Sequence, residues 1–229
     1  EEIQYLLDGV NAYHTRKEWR VDDVVAHFCG YRPLIHTDES IPSKQTREES
    51  FVWLDDKVLA VSGGKYTTYR LMAERALNMM QAKLFSGRVL TKSGTESLDF
   101  LGRMAANHWP SESQLNQLSQ RYHIQRESIV HIMETYGGLY KEILNTISYQ
   151  TETAIRFDIG LPMIIAELKY AISKEWVRTL DDFLLRRTNY GVLYKDQPEF
   201  LHAVASQFKQ MTGCTTSESE LVRQCLERF

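Results

Sequence analysis

Long apolar runs, glycine-rich loops, paired cysteines and an excess of charge of either sign are all missing from this chain. No stretch reaches the roughly 18 uninterrupted apolar residues of a membrane-spanning helix, and no basic segment leads into a short apolar core as in a secretory leader. Cys29, Cys214 and Cys225 are odd in number and form no C-x-x-C pair. That speaks against a disulfide framework or a zinc knuckle and for reduced, structural thiols. The 27 Lys and Arg stand against 30 Asp and Glu, a net charge of -3. A binder that grips nucleic acid through a strongly basic surface is thereby disfavoured, a local basic patch apart.

Glycine and proline are scarce, 12 and 5 in 229 residues, against average usages of roughly 7% and 5%. Few breakers mean a helix-rich chain. Neither G-x-G-x-x-G nor G-x-x-x-x-G-K-[ST] occurs, so the chain itself carries no dinucleotide or triphosphate cradle. The 7 His are scattered, with no H-E-x-x-H and no H-x-x-x-H on an expected helix, and no metal site is expected. An EF-hand loop is also missing.

What remains is an ordinary globular composition, 43% hydrophobic and 25% charged. The length allows one large domain or two small ones. The chain opens on Glu1 within a helical pattern, the look of a sequence cut from a longer one. Residues 1–13 and 20–26 predict short helices. Residues 51–54 and 57–62 predict strands joined at Asp55-Asp56, the second apolar on both faces and so expected to be buried. From Thr67 onward nearly everything reads as helix, about five to seven of them. Leu71, Ala73, Ala76, Leu77 and Met80 mark an apolar stripe on the first and longest. Ser111 with Gln114, and Ser217 with Glu220, predict helix starts at Glu112 and Glu218. Ile165, Leu168, Ile172 and Trp176 share another apolar face. Asp196 and Pro198 open a helix running to about Met211. Asp181 and Asp182 are expected in a first helical turn and Arg186 and Arg187 near its end, each favoured there by the helix dipole. Tyr136, Tyr140 and Tyr149 read as packing residues.

One segment stands apart. An apolar strand ends in Gly63-Gly64-Lys65, followed by Thr67 and Thr68 at a helix start. Such a turn offers backbone N–H groups at the positive end of a helix, lets a ligand approach closely over glycine, and adds a full positive charge. It suits an anionic or electron-rich ligand edge; an ordinary strand-to-helix turn with Thr67 as cap accounts for the same residues. Upstream, Arg32 precedes Pro33 and Arg47 precedes the first strand. Two guanidinium forks could clamp one dianion.

These elements together resemble the FAD-dependent glycerol-3-phosphate dehydrogenases and the related α-glycerophosphate oxidases. The matching strings are Gly-Tyr-Arg-Pro-Leu at 30–34, Thr46-Arg47-Glu48, Ser-Gly-Gly-Lys-Tyr-Thr-Thr-Tyr-Arg-Leu-Met-Ala-Glu at 62–74, and Ile-Ala-Glu-Leu-Lys-Tyr-Ala-Ile-Ser-Lys-Glu-Trp at 165–176 through Arg186-Arg187-Thr188. The resemblance implies a mostly α chain. Residues 1–66 would be a short α+β remnant of the flavin and substrate domains, and 67–229 an all-α C-terminal bundle. It implies oxidation of sn-glycerol 3-phosphate to dihydroxyacetone phosphate, with hydride passed to FAD and electrons to quinone or, in the oxidases, to oxygen. Arg32 and Arg47 would be the catalytic and substrate-binding residues, holding the phosphate. Gly63, Gly64, Lys65 and Thr67 would face the flavin. The missing cradle implies that this stretch neither holds FAD tightly nor turns over alone. A cytoplasmic protein at the inner face of the cell membrane, with peripheral contact and a homodimer among its assemblies, follows from the same likeness; nucleic acid does not. From a different class, a helical interaction module that docks partners or a membrane surface fits the composition too.

Overall fold

The computed structural model describes residues 1–27, 29–30, 48–85, 87, 93–104 and 108–227. The chain divides into two compact units, Cys29–Asp99 and the pair Glu1–Phe28 with Phe100–Phe229. Among the described residues no helix is long and apolar enough to cross a membrane.

Helix α1 spans Glu2–Tyr13. The second expected helix, at 20–26, is a single 3-10 turn, Val21–Asp23. The Asp23 carboxylate accepts the Arg20 N–H at 2.9 Å, and the β-branched Val21, Val24 and Val25 resist continuation as helix. Asn11 ties the following loop back to α1 by bonding both the N–H and the C=O of Trp19 at 2.8 Å.

In the smaller unit, β1 (Glu49–Trp53) and β2 (Leu59–Gly63) pair antiparallel, with Glu49 opposite Gly63 and Trp53 opposite Leu59. Asp55 makes the turn: its Oδ1 accepts the N–H groups of Lys57 and Val58 at 2.7 and 2.9 Å, the local bond that favours Asp in turns. Helix α2 (Tyr69–Leu84) is held to the hairpin by an Arg75–Glu49 ion pair and by Lys83. The Lys83 ammonium lies 3.2 Å from Asp56 and 4.3 Å above the Trp53 ring. The 66/67 border expected from sequence falls inside this unit, between β2 and the helix packed on it.

The second strand is not buried: Val61 and Ser62 are exposed and Leu59 and Ala60 half-buried. Among the described residues of this unit one helix packs on the hairpin, and one helix covers only one of its faces;. The α2 stripe also differs from expectation. Leu71 and Leu77 are exposed, and Met72, Ala76, Met79 and Met80 carry the inner side.

The larger unit is helical. It runs α3 (Glu112–Tyr122), α4 (Arg126–Tyr136), a 3-10 turn (Gly137–Leu139), α5 (Tyr140–Tyr149) and α6 (Ile165–Lys174). A π-helical turn (Asp182–Arg187), α7 (Tyr190–Leu193), α8 (Pro198–Thr212) and α9 (Glu218–Leu226) complete it. Ser111 and Gln114 close the full reciprocal cap on α3. On α9 only half of the expected cap forms: Ser217 accepts the Glu220 N–H, while the Glu220 carboxylate turns to Arg223 and Gln224. Gly213, left-handed at φ 70°, ends α8.

Helix α6 is the spine. Ala166 and Tyr170 join the core of α3, α4 and α5, whereas Leu168 and Ala171 join the core built around Phe183, Phe200 and Phe208. A helix buried on two sides leaves little room for a polar face, yet α6 carries Glu167 at 1% exposure. The expected stripe through Trp176 stops short, because α6 ends at Lys174 and Trp176 turns left-handed (φ 61°) into solvent. Tyr136 and Tyr140 pack as expected; Tyr149, at the last residue of α5, is exposed.

Candidate functional site

At the end of β2 the chain turns on two left-handed glycines, Gly63 (φ 70°) and Gly64 (φ 83°). The Gly64 N–H reaches back to the Glu48 carbonyl at 3.2 Å, closing the hairpin's open end. Gly64 is required twice over. Its φ is one that side chains rarely adopt, and a Cβ there would overlap the Met72 thioether, which lies against the turn from α2;.

Lys65 is extended and opens a 3-10 turn, Tyr66–Thr68, that leads into α2. Thr68 closes the turn, its N–H and its hydroxyl both reaching the Lys65 carbonyl, at 3.0 and 2.9 Å. The caps are therefore Lys65 for the short turn and Thr68 for α2, and neither side chain accepts a capping N–H bond. Thr67 lies between them, exposed, within the turn. The N–H groups of Tyr66 and Thr67 precede the first hydrogen-bonded turn, as at any helix start, and the Lys65 side chain is exposed beside them. The surface thus presents amide N–H groups and one cation, with glycine backbone alongside.

Gly63, Gly64, Lys65 and Thr67 are brought together on this one turn. Arg32 and Arg47 lie outside the described residues. Arg70, in the first turn of α2, is engaged with Glu74 and Thr95, both at 3.4 Å.

In the helical unit, sequence reading missed a buried polar group. Glu167 Oε1 accepts the Ile164 N–H at 2.9 Å, and Oε2 lies 3.1 Å from His131 Nε2 on α4. Nearby, the Tyr136 hydroxyl is buried without a hydrogen-bond partner among the described residues. Burial above all, with the neighbouring carboxylates of Glu167 and Glu175, pushes its pKa far up. Tyr190 is pushed up to about 12, again chiefly by burial. Arg156 reaches the fully buried Ser128 hydroxyl at 2.9 Å. The signal for Glu167 was a lone carboxylate inside an apolar run three residues after a helix cap. Because that cap is Ile164 and not Ser or Thr, the usual template passes over it. Asp181 and Asp182 fall at the start of the 182–187 turn and Arg186 and Arg187 at its end, as expected, and the Arg186 Nη1 also lies 2.8 Å from both carboxylates. Among the described residues no group of three or more His, Cys, Asp or Glu could hold a metal ion.

Several known proteins resemble this chain in sequence or fold. The model of a family described as the C-terminal domain of alpha-glycerophosphate oxidase matches residues 93–219. The aerobic glycerol-3-phosphate dehydrogenase of Escherichia coli (strain K12) is 34% identical over 197 residues, 83% of this chain and 38% of that protein. The D-erythritol 1-phosphate dehydrogenase of Brucella abortus (strain 2308) is 31% identical over 198 residues, 83% of this chain and 37% of that protein. The crystal structure of a glycerol-3-phosphate dehydrogenase from Bacillus halodurans, complexed with FAD, superposes with a TM-score of 0.73 at 23% identity. It covers 99% of this chain and 44% of its own, and at that identity the likeness shows the mostly helical fold. The chain spans less than half the length of the relatives it matches.

Proposed function

The chain belongs to the glycerol-3-phosphate dehydrogenase and α-glycerophosphate oxidase family, and from that premise we propose that it serves an FAD-dependent oxidation of sn-glycerol 3-phosphate to dihydroxyacetone phosphate, with electrons passed on to a quinone. The observation that carries this reading is the turn at 63–68, where paired left-handed glycines, unladdered amides and the exposed Lys65 cation meet. Those groups fit the electron-rich pyrimidine edge of a reduced flavin, whose negative charge a cation and a helix start stabilise. Bound FAD would accept the hydride from C2 of the substrate.

In this reading Lys65 and the amides at Tyr66 and Thr67 hold charge at the flavin edge, while Gly63 and Gly64 allow close approach. Arg32 and Arg47 grip the substrate phosphate and orient its carbon chain. The chain has no glycine-rich pyrophosphate cradle, so its own contribution is the flavin edge and the substrate grip, not the main hold on FAD. In this reading the chain makes peripheral contact with the membrane that holds the quinone, at its cytoplasmic face.

The test is spectroscopic. The intact protein is expected to be yellow and to bleach on anaerobic addition of glycerol 3-phosphate; a protein that binds flavin and does not bleach overturns the reading. The names of the relatives support a second version. The family model is that of an oxidase, and one relative is named for D-erythritol 1-phosphate. Oxygen uptake with peroxide release would favour oxygen over quinone, and bleaching by erythritol phosphate alone would move the substrate to a longer polyol phosphate.

A further inference from the structure

In the helical unit a cleft of about 730 Å³ opens between α3 and the start of α5. One wall is a single face of α3: Gln114, Gln117, Leu118 and Arg121 follow at helical spacing;. Tyr140 and Lys141 from α5 line the cleft too, with Arg103, Met104, His108 and Trp109.

The walls are fixed by backbone. The Gly138 N–H donates to the Gly102 carbonyl at 2.7 Å, pinning the chain before Arg103 to the turn before α5. Gly102 (φ 83°) and Gly137 (φ 55°) are both left-handed, and a Cβ at Gly137 would land on the Gly102 carbonyl oxygen. A pocket built this way loses little entropy when a ligand enters.

Its chemistry is one-sided. Among the described residues Arg103, Arg121, Lys141 and His108 line it, and no carboxylate does. Arg121 and Lys141 make no ion pair among the described residues; each stands near an adjacent tyrosine ring, at 5.3 and 5.8 Å. Gln114 adds to the donors. Its side-chain oxygen is occupied by the Ser111 N–H (2.8 Å) and hydroxyl (3.1 Å), which leaves the amide NH2 as a donor without a partner among the described residues. A concave, donor-rich, positively charged surface calls for a ligand that only accepts hydrogen bonds, and phosphate is such a group. Trp109, Tyr140, Met104 and Leu118 supply apolar area that inorganic phosphate cannot use. The cleft also has the size of a small-molecule site, roughly 300–1,000 Å³.

We propose that this cleft binds an organic phosphate, its phosphate held by Arg121, Lys141 and Gln114 and its carbon portion against Trp109 and Tyr140. The proposal rests on residues of the helical unit alone and does not depend on the flavin reading. The same chemistry exists on a soluble nucleotide and on an anionic phospholipid headgroup.

The experiment uses the purified intact protein with two probes, ADP in solution and vesicles of phosphatidylglycerol in phosphatidylcholine. Binding is followed by tryptophan fluorescence and by calorimetry. Saturable binding of one probe is expected, weakened at least about tenfold in R121Q/K141Q and with its fluorescence change lost in W109F. Arg121 and Lys141 are exposed, so the variant is expected to keep its fold, checked by circular dichroism. K57Q/K174Q removes two exposed cations outside the cleft and is the control for net charge. ADP binding assigns a soluble ligand; vesicle binding alone assigns a headgroup. Absence of binding to both, or equal loss in both double variants, overturns the site.

Discussion

Nε2 of His131 on α4 lies 3.1 Å from Oε2 of Glu167 on α6, a carboxylate 1% exposed. Its other oxygen is committed to the Ile164 N–H that opens α6. One side chain thus caps the spine helix and ties it to α4. Removing a partner from a buried pair leaves the other group without its match, so Glu167→Ala is expected to cost about 3 kcal/mol in urea unfolding. Glu167→Gln keeps an acceptor for Ile164 and should cost less. Equal stability of the alanine variant and wild type would remove the pair from any role in the fold.

The same pair gives a pH dependence. Burial of the His131 ring, the largest influence, disfavours its cation. The hydrogen bond and charge of Glu167, with Glu134 adding, outweigh it and hold the pKa above the ordinary 6.5. A raised folded-state pKa means that the contribution is fully present below the unfolded value and is lost as pH rises through the folded one. Wild-type stability relative to His131→Gln should therefore fall on going from about pH 5.5 to about pH 8.5. A difference that grows with pH would reverse the sign.

The backbone clasp at Gly137 predicts a sharp contrast between two glycines with similar φ. Gly213, at φ 70°, has open space where a Cβ would go. Gly213→Ala should cost only the left-handed strain, about 1 kcal/mol. Gly137→Ala adds a collision with the Gly102 carbonyl, a backbone atom that cannot swing aside. Its midpoint in urea should fall well beyond that of Gly213→Ala. Matching midpoints would mean that the clasp yields freely.

At Gly64 the obstacle is a side chain, and the prediction is separable. Gly64→Ala meets both strain at φ 83° and the Met72 thioether. Met72→Ala clears the space but not the strain, so the double variant should recover part of the loss and not all of it. Strict additivity of the two single effects would show that the two residues do not meet.

Much of this was legible in the sequence, for reasons that differ by element. Ser111 with Gln114, Pro198, and Asp55-Asp56 act locally: each satisfies or removes backbone groups within a few residues, so its signal is complete in a short window. The 63–68 turn was legible for the same reason, since paired glycines between a strand and a helix have few other uses. Burial was not local. Val61 and Leu71 read as core residues by pattern, yet no described element of their unit covers them. Trp176 looked like the next step of the α6 stripe, but helix length is decided where Lys174 and Glu175 meet the chain turning toward the second core. Glu167 was invisible because its partners, His131 and the Ile164 amide, come from packing and from an unconventional cap. Arg32 and Arg47 were found by motif and lie outside the described residues.

Lys65 carries the last prediction, which rests on the proposed flavin edge. The residue is exposed, and among the described residues its side chain makes no ion pair. Loss of the cation should leave the fold intact. If Lys65 stabilises charge that develops on the flavin, then Lys65→Ala slows flavin reduction in stopped-flow mixing by about 10²-fold, as for removal of one preorganised charge-stabilising donor. Lys65→Arg keeps the charge and should recover most of the rate. Flavin content should not change, because the main cradle for the cofactor is not in this chain. By contrast, Arg32→Ala and Arg47→Ala should weaken glycerol 3-phosphate binding with flavin content also unchanged, as expected for a phosphate grip. Wild-type reduction kinetics in Lys65→Ala would remove the lysine from the flavin edge, and wild-type affinity in both arginine variants would remove the grip.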